Sequence, residues 1–232
     1  MTDALSISPV GAELLDDPAA DAGTVEASLR DIAVANRWLG GTAAALHGLG
    51  RVLAGIPRGS RATLLDIGTG HGDLPRAAVR WGRRRGIEIV PVALELNAVA
   101  AALALRAGIP TAVADAAAPP VAAGSVDVVL VSQVAHHFSR DSAVWLALTC
   151  DRLARRGVVI ADLRRSAIAA VGFRLGARLL GFDPVTRLDG VTSVRRGFSA
   201  GELEALLLGG GIRARVERRP GFRLVATWRK DG

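Results

Sequence analysis

The chain has one cysteine, one methionine, no tyrosine and a single lysine, Lys230. With Cys150 alone, an intramolecular disulfide is excluded, and no basic region followed by an apolar one opens the sequence as an export signal would. A reducing cytoplasm is the expected setting. Cys150 lies in an apolar helical pattern and reads as a small buried hydrophobe, not a nucleophile. Half the residues are hydrophobic, yet the apolar runs are short and broken by Arg or Gly. None approaches the ~18–20 residues of a membrane-spanning helix. Aromatic residues make up 4%, and they do not interleave with the basic ones.

That last absence bears on the charge. A net +7 normally raises nucleic acid as a partner. Here the positive residues are almost all Arg, scattered in pairs such as Arg155-Arg156, Arg164-Arg165 and Arg218-Arg219 at helix ends and loops. Without aromatic platforms between them, no nucleic-acid partner is expected. A basic surface facing acidic lipid or an anionic substrate stays open.

Length and composition suit one compact α/β domain with a modest extension. Residues 1–23 hold acids and no base and are expected to be a flexible acidic terminus. Helical spacing then predicts helices over about Thr24–Leu39 and Thr42–Ala54, separated by Gly40-Gly41. From residue 57 onward, short β-branched or Leu-rich runs alternate with helical stretches. Strands are expected over Thr63–Ile67, Ile87–Leu94, Thr111–Ala114, Val126–Val131 and Val158–Ala161, and helices over Pro75–Arg85, Ala98–Ala107, Asp141–Arg155 and Ser166–Leu180. Such alternation marks a parallel sheet covered by helices on both faces. Ser199 to Glu202 has capping-box form, and Pro220-Gly221 predicts a turn between two final antiparallel strands at the sheet edge.

The stretch LLDIGTGHGDL, Leu64 to Leu74, ends the first strand and opens a helix. Ligands in such folds bind beyond the carboxyl ends of the strands, where glycine lets them approach the backbone. A dinucleotide fingerprint fails, because Asp73 stands where its last glycine belongs, and a phosphate-binding Walker loop fails for want of lysine. What remains is D-x-G-x-G-x-G with an acid at the strand end. Two more acids, Glu95 and Asp115, end the next two strands.

Asp66 to Gly72 resembles motif I of class I S-adenosylmethionine-dependent methyltransferases. The resemblance implies a Rossmann-like fold: a mostly parallel seven-stranded sheet with an antiparallel edge pair, helices on both faces and added N-terminal helices. It implies S-adenosylmethionine as cofactor and S-adenosylhomocysteine as product. On it, Asp66 suits the ammonium region, and Gly68, Thr69, Gly70 and Gly72 allow close contact with the methionine moiety. Glu95 with Leu96 takes the ribose, Asp115 with Ala116 meets the adenine, and Ser132 and Gln133 stand near the methyl group. Residues 57–232 would form the methyltransferase domain, 24–56 a helical lid, and about 164–198 a substrate-lid insertion.

Further segments are similar to a bacterial group of small methyltransferases that accompany type III polyketide synthases. They are Ala35 to Gly41, Gly72 to Pro75, His136-His137-Phe138, Ala161 to Ser166 and Ser193 to Phe198. This narrower resemblance implies O-methylation of a small phenolic or quinone-like acceptor, lipid-tailed or not, by a monomer or homodimer. Asn36, Arg37, Trp38, Phe138, Arg164 and Phe173 are its candidate contacts. Methyl transfer needs a positioned and deprotonated nucleophile, and a neutral imidazole can take a phenol's proton. His136 or His137 is the expected base. Adjacent residues point ~100° or ~180° apart, so one histidine is expected to be catalytic and the other structural. No metal-ligand spacing is evident, and metal-independent transfer is expected. C-methylation of an electron-rich ring and a non-catalytic, cofactor-binding regulatory role are the alternatives.

Overall fold

The computed structural model describes residues 6–11, 13–14, 17 and 19–230. Seven strands, β1 (Arg61–Ile67), β2 (Glu88–Glu95), β3 (Thr111–Val113), β4 (Val126–Ser132), β5 (Ala154–Leu163), β6 (Arg215–Arg219) and β7 (Arg223–Arg229), form one sheet. Their order is β3-β2-β1-β4-β5-β7-β6, and β7 alone is reversed against its neighbours. The expected Rossmann-like class I methyltransferase architecture, with its antiparallel edge pair, is the one observed.

Period-two alternation explains why both faces can be covered. Leu64 and Leu65 are each 1% exposed and point to opposite sides, as successive strand residues must. On one side Leu64, Val128, Val159 and Val225 pack with Leu49 of α2 (Gly41–Val52) and Trp81 of α3 (Asp73–Arg85). On the other, Leu65, Val129, Val158 and Leu224 meet Leu146 and Cys150 of α5 (Arg140–Leu153) and Leu207 of α8 (Ala200–Gly209). Cys150 is fully buried there, and burial pushes its thiol up to about 12. It is inert packing, as the sequence suggested.

Three elements depart from expectation. The helix expected to run through Arg155 stops at Leu153, because Ala154 already pairs with Val126 and opens the ten-residue β5. Asp127, facing Arg155 and Arg156 at 3.3 and 3.1 Å, draws those arginines out of the helical pattern. The insertion after β5 is two helices, α6 (Ala167–Leu179) and α7 (Pro184–Arg196). Asp183 caps the second by accepting from the Val185 amide, with Pro184 in the first turn, a local signal the sequence reading passed over. The remaining helices are α1 (Ala22–Trp38) and α4 (Ala98–Arg106). Among the described residues no helix is long and apolar enough to cross a membrane.

Chain order moves outward from β1 to β3 and then jumps to β4 on the other side of β1. A crevice opens at that switch, at the carboxyl ends of the strands.

Candidate active site

A cavity of about 320 Å³ occupies the crevice. A broader cleft of about 880 Å³ lies at the opposite ends of the strands, where Arg155, Arg156 and Lys230 are held by Asp127 and Asp151.

The glycine loop forms the cavity floor. Gly68, Gly70 and Gly72 have φ of 72°, 57° and 78°, a region other residues enter at a cost. A Cβ on Gly68 would come within 2.5 Å of Val134 Cγ2, so glycine lets the loop touch the turn that follows β4. Gly68→Ala is expected to lower stability by about 2–3 kcal/mol, roughly 5–10 °C in Tm by scanning calorimetry. A Tm within a degree of wild type would contradict this packing.

Glu95 braces the loop: it accepts from the Gly70 amide at 2.8 Å and the Asn97 amide at 3.0 Å. Burial still holds its carboxyl above the usual range. Thr69, Gly70, Glu95, Leu96, Asp115, Ala116, Ser132 and Gln133 line the cavity with Gly68. Asp66 and Gly72 do not. Asp66 is 1% exposed and points to the α3 side of the sheet, opposite to Leu65 and Ile67. Its two oxygens have no hydrogen-bond partner among the described residues. Burial, with the nearby charges of Asp73 and Glu95, outweighs the opposing effect of the Thr69 hydroxyl and pushes its pKa up to about 8. The donor set fits S-adenosylmethionine: backbone opened by glycines, carboxylates at the ends of β2 and beyond β3, and a buried Ser132 hydroxyl without a hydrogen-bond partner among the described residues.

The opposite wall carries the histidines. Chain leaving β4 turns at Gln133, φ 56°, into a 3-10 turn, Ala135–His137. His136 is buried, and its Nδ1 lies 2.6 Å from Asp162 Oδ1, while its amide donates to Asp162 Oδ2 at 3.1 Å. Burial alone would raise the Asp162 carboxyl, but His136 and the Leu163 amide outweigh it and hold it below its ordinary value. An ionised Asp162 favours Nδ1 as the donor and leaves Nε2 as the acceptor nitrogen of the ring. Nε2 has no hydrogen-bond partner among the described residues.

The two imidazoles do not diverge as expected from helix or strand geometry. In the tight turn their centroids are 4.4 Å apart, and both Nε2 atoms face one carboxylate, Glu13, at 4.0 and 3.9 Å. Glu13 comes from the terminus expected to be flexible. Ser8 N donates to the His137 carbonyl at 2.7 Å and Ser139 N to that of Ser6 at 2.8 Å. Arg196, 1% exposed, donates to the carbonyls of Val10 and Gly11 and lies 3.1 Å from Glu13. These hydrogen bonds fix residues 6–11 and Glu13 against the site, while residues 1–5, 12, 15, 16 and 18 lie outside the described residues. Glu13, His136 and His137 also bring three ligand-type atoms together, which linear spacing could not show. The positive charge beside that carboxylate is supplied by Arg196, whose Nη1 is also 3.4 Å from His137 Nδ1.

A polar chain crosses the cavity from Asp73 through Asn36 and Gln133 to Arg223. Asn36 donates to Asp73 at 3.3 Å, Gln133 donates to Asn36, and Arg223 donates to Gln133 at 2.6 Å. Burial depresses the Arg223 pKa to about 10, against the favourable charge of Asp162. Phe138 and Phe173 line the cavity with Asn36. Arg37, Trp38 and Arg164 do not. Successive helix residues turn by ~100°, so Asn36 facing inward sends Arg37 and Trp38 out, the latter 71% exposed. Arg164 stacks on Phe222 at 4.9 Å. Asp162, Glu13, Arg196 and Arg223 are the site residues that sequence reasoning missed. Of these Asp162 carried a local signal, as an acid at the carboxyl end of a predicted strand, and Arg196 lay within the resembling segment Ser193 to Phe198.

Fold and crevice define a Rossmann-like enzyme built to take an adenosyl cofactor. Residues 65–161 match the family model described as a methyltransferase domain, and that stretch of the chain is a methyltransferase domain. Solved structures agree in fold. A SAM-dependent methyltransferase from Aquifex aeolicus has 16% identity and a TM-score of 0.60, over 89% of this chain and 97% of that one. A protein of Nostoc punctiforme, provisionally described as an O-methyltransferase, has 16% identity and a TM-score of 0.57, over 85% and 58%. The pyocyanin biosynthetic protein PhzM has 18% identity and a TM-score of 0.54, over 82% and 55%. This chain spans little more than half the length of the last two. No curated protein matches the sequence.

Proposed function

We propose that the enzyme O-methylates a small phenolic or quinone-like, polyketide-derived acceptor, with His136 removing the hydroxyl proton. One observation carries this reading: a buried imidazole whose Nδ1 is held by Asp162 and whose Nε2, 4.0 Å from the Glu13 carboxylate, belongs to the wall of the cavity that also holds the glycine loop. Bound S-adenosylmethionine supplies the electrophilic methyl group. The chain's residues position the acceptor and move its proton. Phe138, Phe173, Ile32 and Val134 give that end of the cavity an apolar wall suited to an aromatic ring. Asn36, fixed from both sides, orients a polar substituent. As the phenol oxygen loses its proton to Nε2, the imidazolium formed is stabilised by ionised Asp162 on its other nitrogen.

In this reading Glu95 and Asp115 hold ribose and adenine, α1 together with α6 and α7 covers the acceptor while α2 packs against the sheet, and the enzyme works in the cytoplasm as monomer or homodimer. Its fold relatives include the pyocyanin biosynthetic protein PhzM and the Nostoc protein provisionally described as an O-methyltransferase. The test is calorimetric titration with S-adenosylhomocysteine, followed by mass-spectrometric screening of phenols and hydroxyquinones with S-adenosylmethionine. Binding and a methyl gain on oxygen are expected. A methyl on ring carbon would replace O- by C-methylation, and binding without product across the panel would discard the acceptor class.

A further inference from the structure

Helix α6 is amphipathic in the wrong sense for a helix that only covers the cavity. Its inner face carries Ala169, Phe173 and Ala177, with Phe173 in the cavity wall and tilted against Phe182 at 6.3 Å. Its outer face carries Ile168, Val171, Leu175 and Leu179, which are 75%, 60%, 60% and 89% exposed. Spacing of three and four residues places these four on one stripe. The glycines beside them, Gly172 and Gly176, would meet nothing if given a Cβ, so nothing among the described residues packs over this side. Leu180 and Leu188 add exposed apolar surface in the same insertion.

Arginines accompany the stripe. Arg174 and Arg178 flank it on one edge of α6, and neither takes part in an ion pair among the described residues. Residues 164–196 hold seven arginines against two aspartates, a net charge of +5, and of these arginines Arg196 is buried. An apolar stripe rimmed by cations matches an anionic lipid surface. Such a helix lies in the headgroup layer, with its aliphatic side chains in the acyl boundary and its arginines at the phosphates. A second copy of the chain fits less well, since stripe-to-stripe packing would bring Arg174 and Arg178 of both copies together.

We infer that the outer face of α6 docks this enzyme on an anionic membrane surface, with the acceptor cavity directly beneath the docked helix. Docking of this kind is independent of which acceptor the cavity takes. The test uses the full-length protein, sedimented with vesicles of phosphatidylglycerol mixed with phosphatidylcholine, and with phosphatidylcholine alone. Binding to the anionic vesicles is expected, weakening as salt rises. Leu175→Glu with Leu179→Glu, at exposed positions that leave the core untouched, is expected to weaken it by about tenfold or more. Three results would overturn the inference. They are wild type failing to sediment with either vesicle, the double variant binding as wild type does, and wild type being a dimer that the double variant dissociates in the ultracentrifuge. The last would assign the stripe to a second copy.

Discussion

Replacing His136 with asparagine is expected to lower kcat for a phenolic acceptor by about 10²–10⁴-fold, the range general-base catalysis supplies, with S-adenosylhomocysteine affinity within about twofold of wild type. Asparagine is the informative choice because its amide NH₂ can still donate to Asp162, so the buried carboxylate is not stranded, while the acceptor nitrogen Nε2 is gone. Asp162→Asn should lose activity in the same direction, because the amide no longer enforces the Nδ1–H form of the ring. His137→Ala should cost less: its Nδ1 faces Arg196 at 3.4 Å, whereas His136 Nδ1 is held by the buried Asp162 carboxylate at 2.6 Å. Single-turnover rates with one fixed phenol, alongside calorimetry with S-adenosylhomocysteine, separate chemistry from binding. His136→Asn turning over within about threefold of wild type would end the assignment of His136 as base.

Asp66→Asn is expected to stabilise the cofactor-free protein, and more so as pH rises. In the folded chain the Asp66 carboxyl is pushed up to about 8 by burial and by the charges of Asp73 and Glu95. In the unfolded chain it titrates near its ordinary value of about 3.9. Between those values the folded state keeps a proton that the unfolded state has released. Stability is therefore full below about pH 4 and falls as pH rises to about 8, by an amount on the order of 5 kcal/mol. Asparagine cannot ionise, so the difference in Tm between variant and wild type should be near zero at the acid end. It should grow to roughly 10–20 °C at pH 8 for a chain of this length. Taking the difference cancels other titrating groups that do not touch Asp66. A difference that stays flat across that range would mean that Asp66 is ionised in the folded protein with a partner in place.

The alternating strands and the glycine turn were legible because their causes are local. A strand buried on both faces needs a continuous apolar run, and a chain that must enter positive φ three times in five residues needs glycine at each. Glu95, Asp115 and the Ser132-Gln133 pair were legible on the same ground, since the ends of successive parallel strands must converge on one crevice. Helix α7 shows the limit of reading by period alone, for its cap was in the sequence and its weak amphipathicity hid it. Arg37 and Trp38 show another, because a motif of adjacent residues on a helix cannot all face one cavity.

By itself, then, the sequence determined the class of fold, the glycine loop at the crevice and the fact that the histidine segment leaves β4 beside that loop. Only the tertiary structure decided what surrounds those histidines. Asp162 reaches His136 because β5 pairs with β4 in a register that sets Ser132 against Ala161. Arg223 enters because the reversed β7 brings its first residue beside the last residue of β5, Leu163. Glu13 is held by Arg196, at the far end of an insertion that follows β5. Pairing a buried charge depends on distances through space, and no local periodicity or propensity records which partner will be there.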